Sequence, residues 1–573
     1  MKKVVEKNNV IKDIIHSFKK IFTSLWIFSF IMNLLMLAPT FYMLQVYDRV
    51  IPSRNEMTLV MLSLVLVLLF LLNSGLDYVR SLIAIRLGNN FELELNQQVY
   101  TASFKANLNL RGVNAGQAIT DLTGLRQFLT SAPLFALMDA PWFPINLVII
   151  FLFNFKVGLF ALVGTIILIG LAIWNERSSS SSLKQAGEKS IAANNLAANN
   201  LRNAEVIEAL GMLAGLQGRW RKLQLEYLAL QASASERVAL VASITRFTRG
   251  VFQSLILGFG ALLALTNEIS PGMVIAASIL MGRVMSPVES LIGTWRQIES
   301  AKNSYFRLVD LLSAFPAKSE KMPLPAPTGI LSFDNVSAAP PGINIATLKN
   351  ITFEMSPGDV VGVIGPSGAG KSTLARLMVG IWPAAIGKVR LDAADIFQWD
   401  KGQLGKHLGY LPQDVELFAG TISENICRFS ELNSEKIIRA SKLAGLHEFI
   451  LHLPQGYDTP VSDGGKSLSG GQRQRIGLAR AVYDDPTLVV LDEPNSNADE
   501  AGEMALVELI KSLKTNKTTV AIITHRMPII SQTNKILVLK DGAMQMYGPT
   551  EEVVKKLVEM RSATNPGGGG VVG

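Results

Sequence analysis

Charge is scarce in this chain. Only 17% of its 573 residues are Asp, Glu, Lys or Arg, while 49% are hydrophobic and mean hydropathy is +0.30. That balance excludes an ordinary soluble enzyme and suits a membrane protein carrying a soluble part. Cysteine is scarcer still: Cys427 stands alone, so no intramolecular disulfide framework can form. It is expected to be a small buried hydrophobe. No cleavable signal peptide is expected, because the first apolar run is too long and lacks a convincing small-residue cleavage site. No long internal repeat is present, and the chain is too long for one core, so two or more domains are expected. Acidic residues are outnumbered 46 to 54 by basic ones. The excess does not call for nucleic acid. Much of it lies in segments beside apolar runs, the positive-inside pattern that faces anionic lipid.

What is present begins with six apolar runs. Residues 1–20 are lysine-rich (Lys2, Lys3, Lys7, Lys12, Lys19, Lys20), which places the N-terminus in the cytoplasm. The runs are Ile21–Tyr47, Met57–Leu76, Ala132–Phe155, Val157–Asn175, Gly250–Asn267 and Ile269–Val288, each long enough to span a bilayer. Long polar stretches follow the second and fourth runs, so both are cytoplasmic and both termini lie inside. Apolar residues recur at helical spacing in these stretches, as in Val238–Phe252 and Ala204–Leu210. Membrane helices are therefore expected to continue well past the bilayer. The segment Ser313–Gly329, with four prolines and several lysines, reads as a linker. From Ile330 short β-branched runs alternate with amphipathic helical patterns, the mark of an α/β domain. The glycine-rich end, Pro566–Gly573, is expected to be disordered. The expected division is a basic N-terminus (1–20), a six-helix transmembrane domain (21–312), a linker (313–329), an α/β P-loop domain (330–560) and a tail (561–573).

The α/β part carries four motifs in order. Gly365-Pro366-Ser367-Gly368-Ala369-Gly370-Lys371-Ser372 is the phosphate-cradling pattern GxxxxGK[ST], followed by Thr373. It follows the strand candidate Val360–Ile364 and opens a helix near Lys371. Glycines let backbone N–H groups close around phosphate oxygens at a helix N-terminus. Lys371 would reach the β- and γ-phosphates of ATP and Ser372 would ligate Mg²⁺. Asp492 closes the apolar run Leu488–Leu491, the place from which a carboxylate can hold Mg²⁺, and Glu493 beside it would act as general base toward water. The remaining two motifs are Leu468-Ser469-Gly470-Gly471-Gln472 and His525.

This set resembles the ATPases of the ATP-binding cassette (ABC) family, and the resemblance supplies further roles. Gln413, in Tyr410-Leu411-Pro412-Gln413, matches the glutamine that links the metal site to the membrane domain; Asp499 matches the D-loop, and His525 the switch histidine at the γ-phosphate. In this family Ser469, Gly470, Gly471 and Gln472 complete the site of a second cassette, so the single cassette here implies a homodimer. One departure stands out: Pro340 and Pro341 lie where an adenine-stacking aromatic ring is expected, which weakens base stacking but not the phosphate chemistry.

The segments Val46–Ser53, Asp139-Ala140-Pro141-Trp142-Phe143-Pro144, Gly409–Phe418 and Leu491–Asn497 narrow the likeness to the ABC component of bacterial type I secretion systems, the PrtD-type protease exporters. That resemblance implies a type I ABC exporter fold in the bacterial inner membrane and export of an unfolded polypeptide with an uncleaved C-terminal signal. It also implies a periplasmic membrane fusion protein and a TolC-like outer-membrane channel as partners, besides membrane lipid. Only about twenty residues precede the first run, so no N-terminal peptidase domain is expected. Gln413 and the loop Thr421–Asn425 would pass motion to the cytoplasmic helix turns, with Ala204–Gly211 the candidate contact in the second. Asp139 reads either as a helix-end or kink residue or as part of a substrate path. The alternative reading is an exporter of lipid or small amphiphiles, with the same ATP chemistry; an ATP-gated channel or regulator would be expected to have a degraded catalytic set, whereas Glu493, Leu468–Gln472 and His525 are all intact.

Overall fold

Six helices among the described residues are long and apolar enough to cross a membrane: Lys19–Ser53, Glu56–Asn109, Ala132–Phe153, Phe155–Arg202, Leu213–Leu265 and Pro271–Ala314. They follow the six apolar runs in order. The computed structural model describes residues 10–109, 115–316, 322–343, 345–465, 467–496 and 500–564. Lys2, Lys3, Lys7, Asp499, the linker residues 317–321 and the stretch 565–573 lie outside them. The chain divides into two units, one of residues 1–107 and 112–317, the other of 108–111 and 318–573.

In the membrane unit, the second, fourth and fifth helices hold 54, 48 and 53 residues. At 1.5 Å per residue each is about 70–80 Å long, more than twice a hydrocarbon layer of roughly 30 Å. The polar stretches after the second and fourth runs are largely these helices continued, closed by the short helices Ala115–Leu129 and Ala204–Ala209. Burial differs sharply among the spans. In the sixth, 56% of the apolar window is buried, against 6% in the second. Small residues explain the sixth helix's central place: Gly272, Ala276, Ala277, Ser278 and Gly282 are all buried and let neighbours approach. Ser179, in the serine run of the fourth helix, is fully buried, and Ser180 donates to Glu299 of the sixth at 2.9 Å.

Breaks in the spans have identifiable causes. Pro39 restarts the first span at Ala38, a π-helical turn covers Val46–Val50, and Arg54 ends the segment in the left-handed region (φ 50°). In the third, the helix Ala132–Asp139 passes through a 3₁₀ turn at Ala140–Trp142 into Phe143–Phe153, with Pro141 and Pro144 at the joints. Asp139 is thus the helix-end residue of a kink. It also pairs with Arg80 of the second span at 3.0 Å.

In the second unit the strands are β1 (Leu331–Ala338), β2 (Leu348–Met355), β3 (Val360–Ile364), β4 (Ile386–Leu391), β5 (Ala394–Asp395), β6 (Leu408–Leu411), β7 (Gly420–Thr421), β8 (Pro460–Val461), β9 (Leu488–Asp492), β10 (Thr519–Ile523), β11 (Lys535–Lys540) and β12 (Ala543–Pro549). A six-stranded sheet runs β12-β11-β3-β10-β9-β6, parallel except for the edge strand β12; β2-β1-β4-β5 form an antiparallel sheet. Every residue of β9 and β10 is buried, as a central parallel strand covered on both faces requires. Cys427 is fully buried, as expected. Thr421–Asn425, read from sequence as a loop, instead opens the helix Ile422–Ile426. Thr421 and Glu424 form a capping box, the T-x-x-E pattern that starts a helix.

The joint between the first and sixth spans is a cap. Asp48 in the π turn accepts from the Ser270 hydroxyl at 2.5 Å and from the Gly272 amide at 2.8 Å, so it satisfies the N-terminus of the sixth helix. A Cβ on Gly272 would stand 2.6 Å from the Asp48 carboxylate. Asp48→Ala should therefore lower stability by about 1–2 kcal/mol, seen as a lower melting temperature of the purified full-length protein, with Gly272→Ala lowering it too. An unchanged melting temperature in both variants would refute the cap.

Candidate nucleotide site

Parallel pairing assembles the site. β10 lies between β3 and β9, with Ile523 opposite Val363 on one side and Asp492 on the other. Strands in that register end at one edge of the sheet. The segment Gly365–Ser372 leaves β3 there, Glu493 follows β9, and Thr524-His525 follow β10. β6 pairs with β9, Leu411 opposite Leu491, so Gln413 joins the same edge.

Gly370 holds a left-handed φ of 98° as the cap of helix Lys371–Met378, a position where only glycine is relaxed. A Cβ on Gly365 would collide with the Leu539 carbonyl at 2.3 Å. Pro366, Ser367 and Gly368 are exposed, while Ala369, Gly370, Lys371 and Thr373 are buried and Ser372 is half-buried. The Lys371 ammonium curls back over the loop, donating to the carbonyls of Gly365 at 2.7 Å and Pro366 at 3.1 Å. His525 is exposed and shares a cavity of about 520 Å³ with Gly365 and Pro366.

Asp492 is 2% exposed, and its Oδ1 has no hydrogen-bond partner among the described residues. A buried carboxylate oxygen without a partner is costly, so the position fits a cation ligand, and the Ser372 hydroxyl acts on the same carboxyl. Burial pushes the Asp492 pKa up and the Glu493 charge adds to this, against the pull of Ser372, Arg376 and Lys371. Gln413 donates to Glu493 Oε2 at 3.2 Å.

Two features of Glu493 escaped the sequence reading. Its backbone is left-handed (φ 52°), a strained state for a non-glycine residue. That turn is clamped: the Glu493 amide donates to the Ile523 carbonyl at 3.0 Å, and the buried Gln474 side chain donates to the Glu493 carbonyl at 3.0 Å. Gln474 sits two residues past Gln472, and its spacing carries no sign of this task. Ser469 and Gln472 form a capping box on helix Gly470–Val482, with Gly470 and Gly471 in its first turn. No hydrogen bond joins this signature segment to the residues 365–372 among the described residues.

Comparison with known proteins agrees over both units. A family model described as ABC transporter matches residues 348–496, and one described as ABC transporter transmembrane region matches residues 14–288. The type I secretion system ATP-binding protein PrsD of Rhizobium meliloti (strain 1021) is 42% identical over 94% of this chain and 93% of its own length. The toxin RTX-I translocation ATP-binding protein of Actinobacillus pleuropneumoniae is 28% identical over 94% of this chain and 77% of its own. A solved structure described as a bacterial Atm1-family ABC exporter with ATP bound aligns with a TM-score of 0.81 at 22% identity. It covers 96% of this chain and 99% of that one, and shows a shared fold.

The raised Asp492 pKa has a signed consequence. The native state keeps this proton at pH values where the unfolded chain has lost it, so stability falls as pH rises from the ordinary carboxylate range through the raised native pKa. Asp492→Asn removes that loss. Without metal and nucleotide, the variant should melt higher than wild type above this window and converge with it below. Thermal melts across pH check this; equal melting temperatures at neutral pH would count against it.

Proposed function

This chain belongs to the ABC transporter family, and from that premise we propose that it exports an unfolded polypeptide with an uncleaved C-terminal signal across the bacterial inner membrane at the expense of ATP. The observation that carries the polypeptide reading is the likeness to a type I secretion protein along nearly the whole chain, both units included.

The residues divide the work as follows. The amides of Gly365–Gly370, at a helix N-terminus, receive the phosphates. Lys371 gives up its two carbonyl contacts for the stronger acceptor oxygens of the β- and γ-phosphates. Ser372, Asp492 and Gln413 hold Mg²⁺, which when bound neutralises phosphate charge. Glu493 takes the proton of the attacking water, aimed by the Gln413 hydrogen bond and by its clamped backbone. His525, at the mouth of the cavity beside Gly365 and Pro366, contacts the γ-phosphate. The signature residues Ser469–Gln472 and Asp499 serve the site of a second copy, so the working unit is a homodimer with both termini in the cytoplasm. A periplasmic membrane fusion protein and a TolC-like outer-membrane channel complete the path.

Glu493→Gln should lower ATP turnover by about 10²–10⁴. In cells that supply the adaptor and outer channel, wild type should secrete a polypeptide carrying the C-terminal signal and the variant should not. Failure of both to secrete, with purified wild type still hydrolysing ATP and responding to lipids or amphiphiles, would instead favour a small-molecule exporter.

A further inference from the structure

Within the membrane unit, the first, second, third and sixth spans line an open chamber of about 750 Å³ with an unusual charge arrangement. Arg80, 6% exposed, donates to Asp139 at 3.0 Å and to Asp77 at 2.8 Å. Two carboxylates thus pair with that cation, although its buried Nε has no hydrogen-bond partner among the described residues. Arg283 of the sixth span lines the same chamber and makes no hydrogen bond or ion pair among the described residues. The carboxylate of Glu289, on the same helix, is taken by Arg249 at 2.5 Å.

Position makes the free cation expensive. Arg283 lies twelve residues into a helix that starts at Pro271, about 18 Å along it and near the middle of a hydrocarbon layer of roughly 30 Å. A guanidinium at that depth is costly and marks a functional site. Two neighbours add to the polarity. Pro287 has no N–H, so the Arg283 carbonyl four residues earlier loses its helical donor. Asn73, 8% exposed on the chamber wall, has no partner for its Oδ1 among the described residues. Acyl chains alone would leave these groups unsatisfied, whereas a peptide supplies both N–H donors to the Asn73 oxygen and carboxylates to the guanidinium.

We propose that Arg283 and Asn73 form a binding station on the export path for carboxylate-bearing segments of the passenger polypeptide, with Arg283 taking the carboxylate. The inference rests on the polypeptide-export reading. The carboxylate could come from Asp or Glu side chains or from a chain end, and the test separates these.

Full-length protein in lipid nanodiscs is titrated with a labelled, unstructured Gly-Ser peptide carrying glutamates and with its glutamine counterpart, each with a free or an amidated C-terminus. Wild type should bind the glutamate peptide about tenfold or more tightly than the glutamine peptide, the scale of one charged hydrogen bond. If the chain end is the ligand, the preference should follow the free C-terminus instead. Arg283→Gln should erase the preference and Arg283→Lys should keep most of it, with melting curves showing that both variants are folded. A folded Arg283→Gln variant that keeps the preference overturns the inference. Equal binding of all four peptides by wild type also overturns it, while leaving polypeptide export standing. If no peptide binds and phosphatidylglycerol in the nanodisc stimulates ATP hydrolysis instead, both readings fall together.

Discussion

The register of three adjacent parallel strands governs the soluble unit. Ile523 of β10 faces Val363 of β3 and Asp492 of β9, and this pairing alone brings to one edge segments separated by more than a hundred residues of chain. Parallel strands need crossovers, and the helices that supply them bury β9 and β10 on both faces. Burial then acts on the chemistry. It desolvates Asp492 at the strand end and leaves one carboxylate oxygen without a partner among the described residues. The residue that follows must turn sharply out of the sheet, and Glu493 does so in a left-handed conformation secured from β10 and from helix Gly470–Val482. Fold, electrostatics and strain at the site thus descend from one pattern of hydrogen bonds.

The membrane unit obeys a different constraint. No water is available in a bilayer to satisfy backbone groups, so the chain crosses as helices, and interruptions occur where other groups take over. The π turn at Val46–Val50 and the kink at Ala140–Trp142 are such places, and each carries an aspartate with assigned partners: Asp48 on the sixth helix, Asp139 on Arg80. The sixth helix is where the others meet, because its small residues allow close packing. It also carries Arg283, the chamber's cation without a counterpart among the described residues.

Much of this was legible beforehand for simple reasons. The six spans are visible because an apolar run of about twenty residues with at most one charge is longer than the buried helices of soluble cores and matches the thickness of a bilayer. The helices beyond the bilayer are visible because their apolar spacing continues into the polar stretches. The strand-end positions of Gly365–Ser372 and Asp492-Glu493 are legible because the runs before them are short and lack charge. What stayed hidden were relations across the chain and departures from regular backbone. Arg80 and Asp139 are 59 positions apart, and nothing local in either announces the other. The left-handed turn at Glu493 has no glycine or asparagine to signal it, and Gln474 reads as one more polar residue in a helix. The helix at Ile422–Ile426 was a different kind of miss, since Thr421 and Glu424 spell its start. Asp499 falls outside the described residues, so its role rests on the family likeness.

The cap at Asp48 also dictates an order of events during synthesis. Its partners Ser270 and Gly272 lie 222 and 224 residues downstream. At about 5–20 residues per second, the ribosome needs roughly ten to forty seconds to make that stretch. Through the whole interval the first span stands in the bilayer with Asp48 lacking the hydroxyl and the amide that it binds in the finished structure. The joint can close only after the last span has been inserted, so the membrane domain is finished by its two ends meeting rather than by growth from one side. A nascent chain stalled before Ser270 would hold several correctly inserted helices and still lack the contact that joins the first of them to the last.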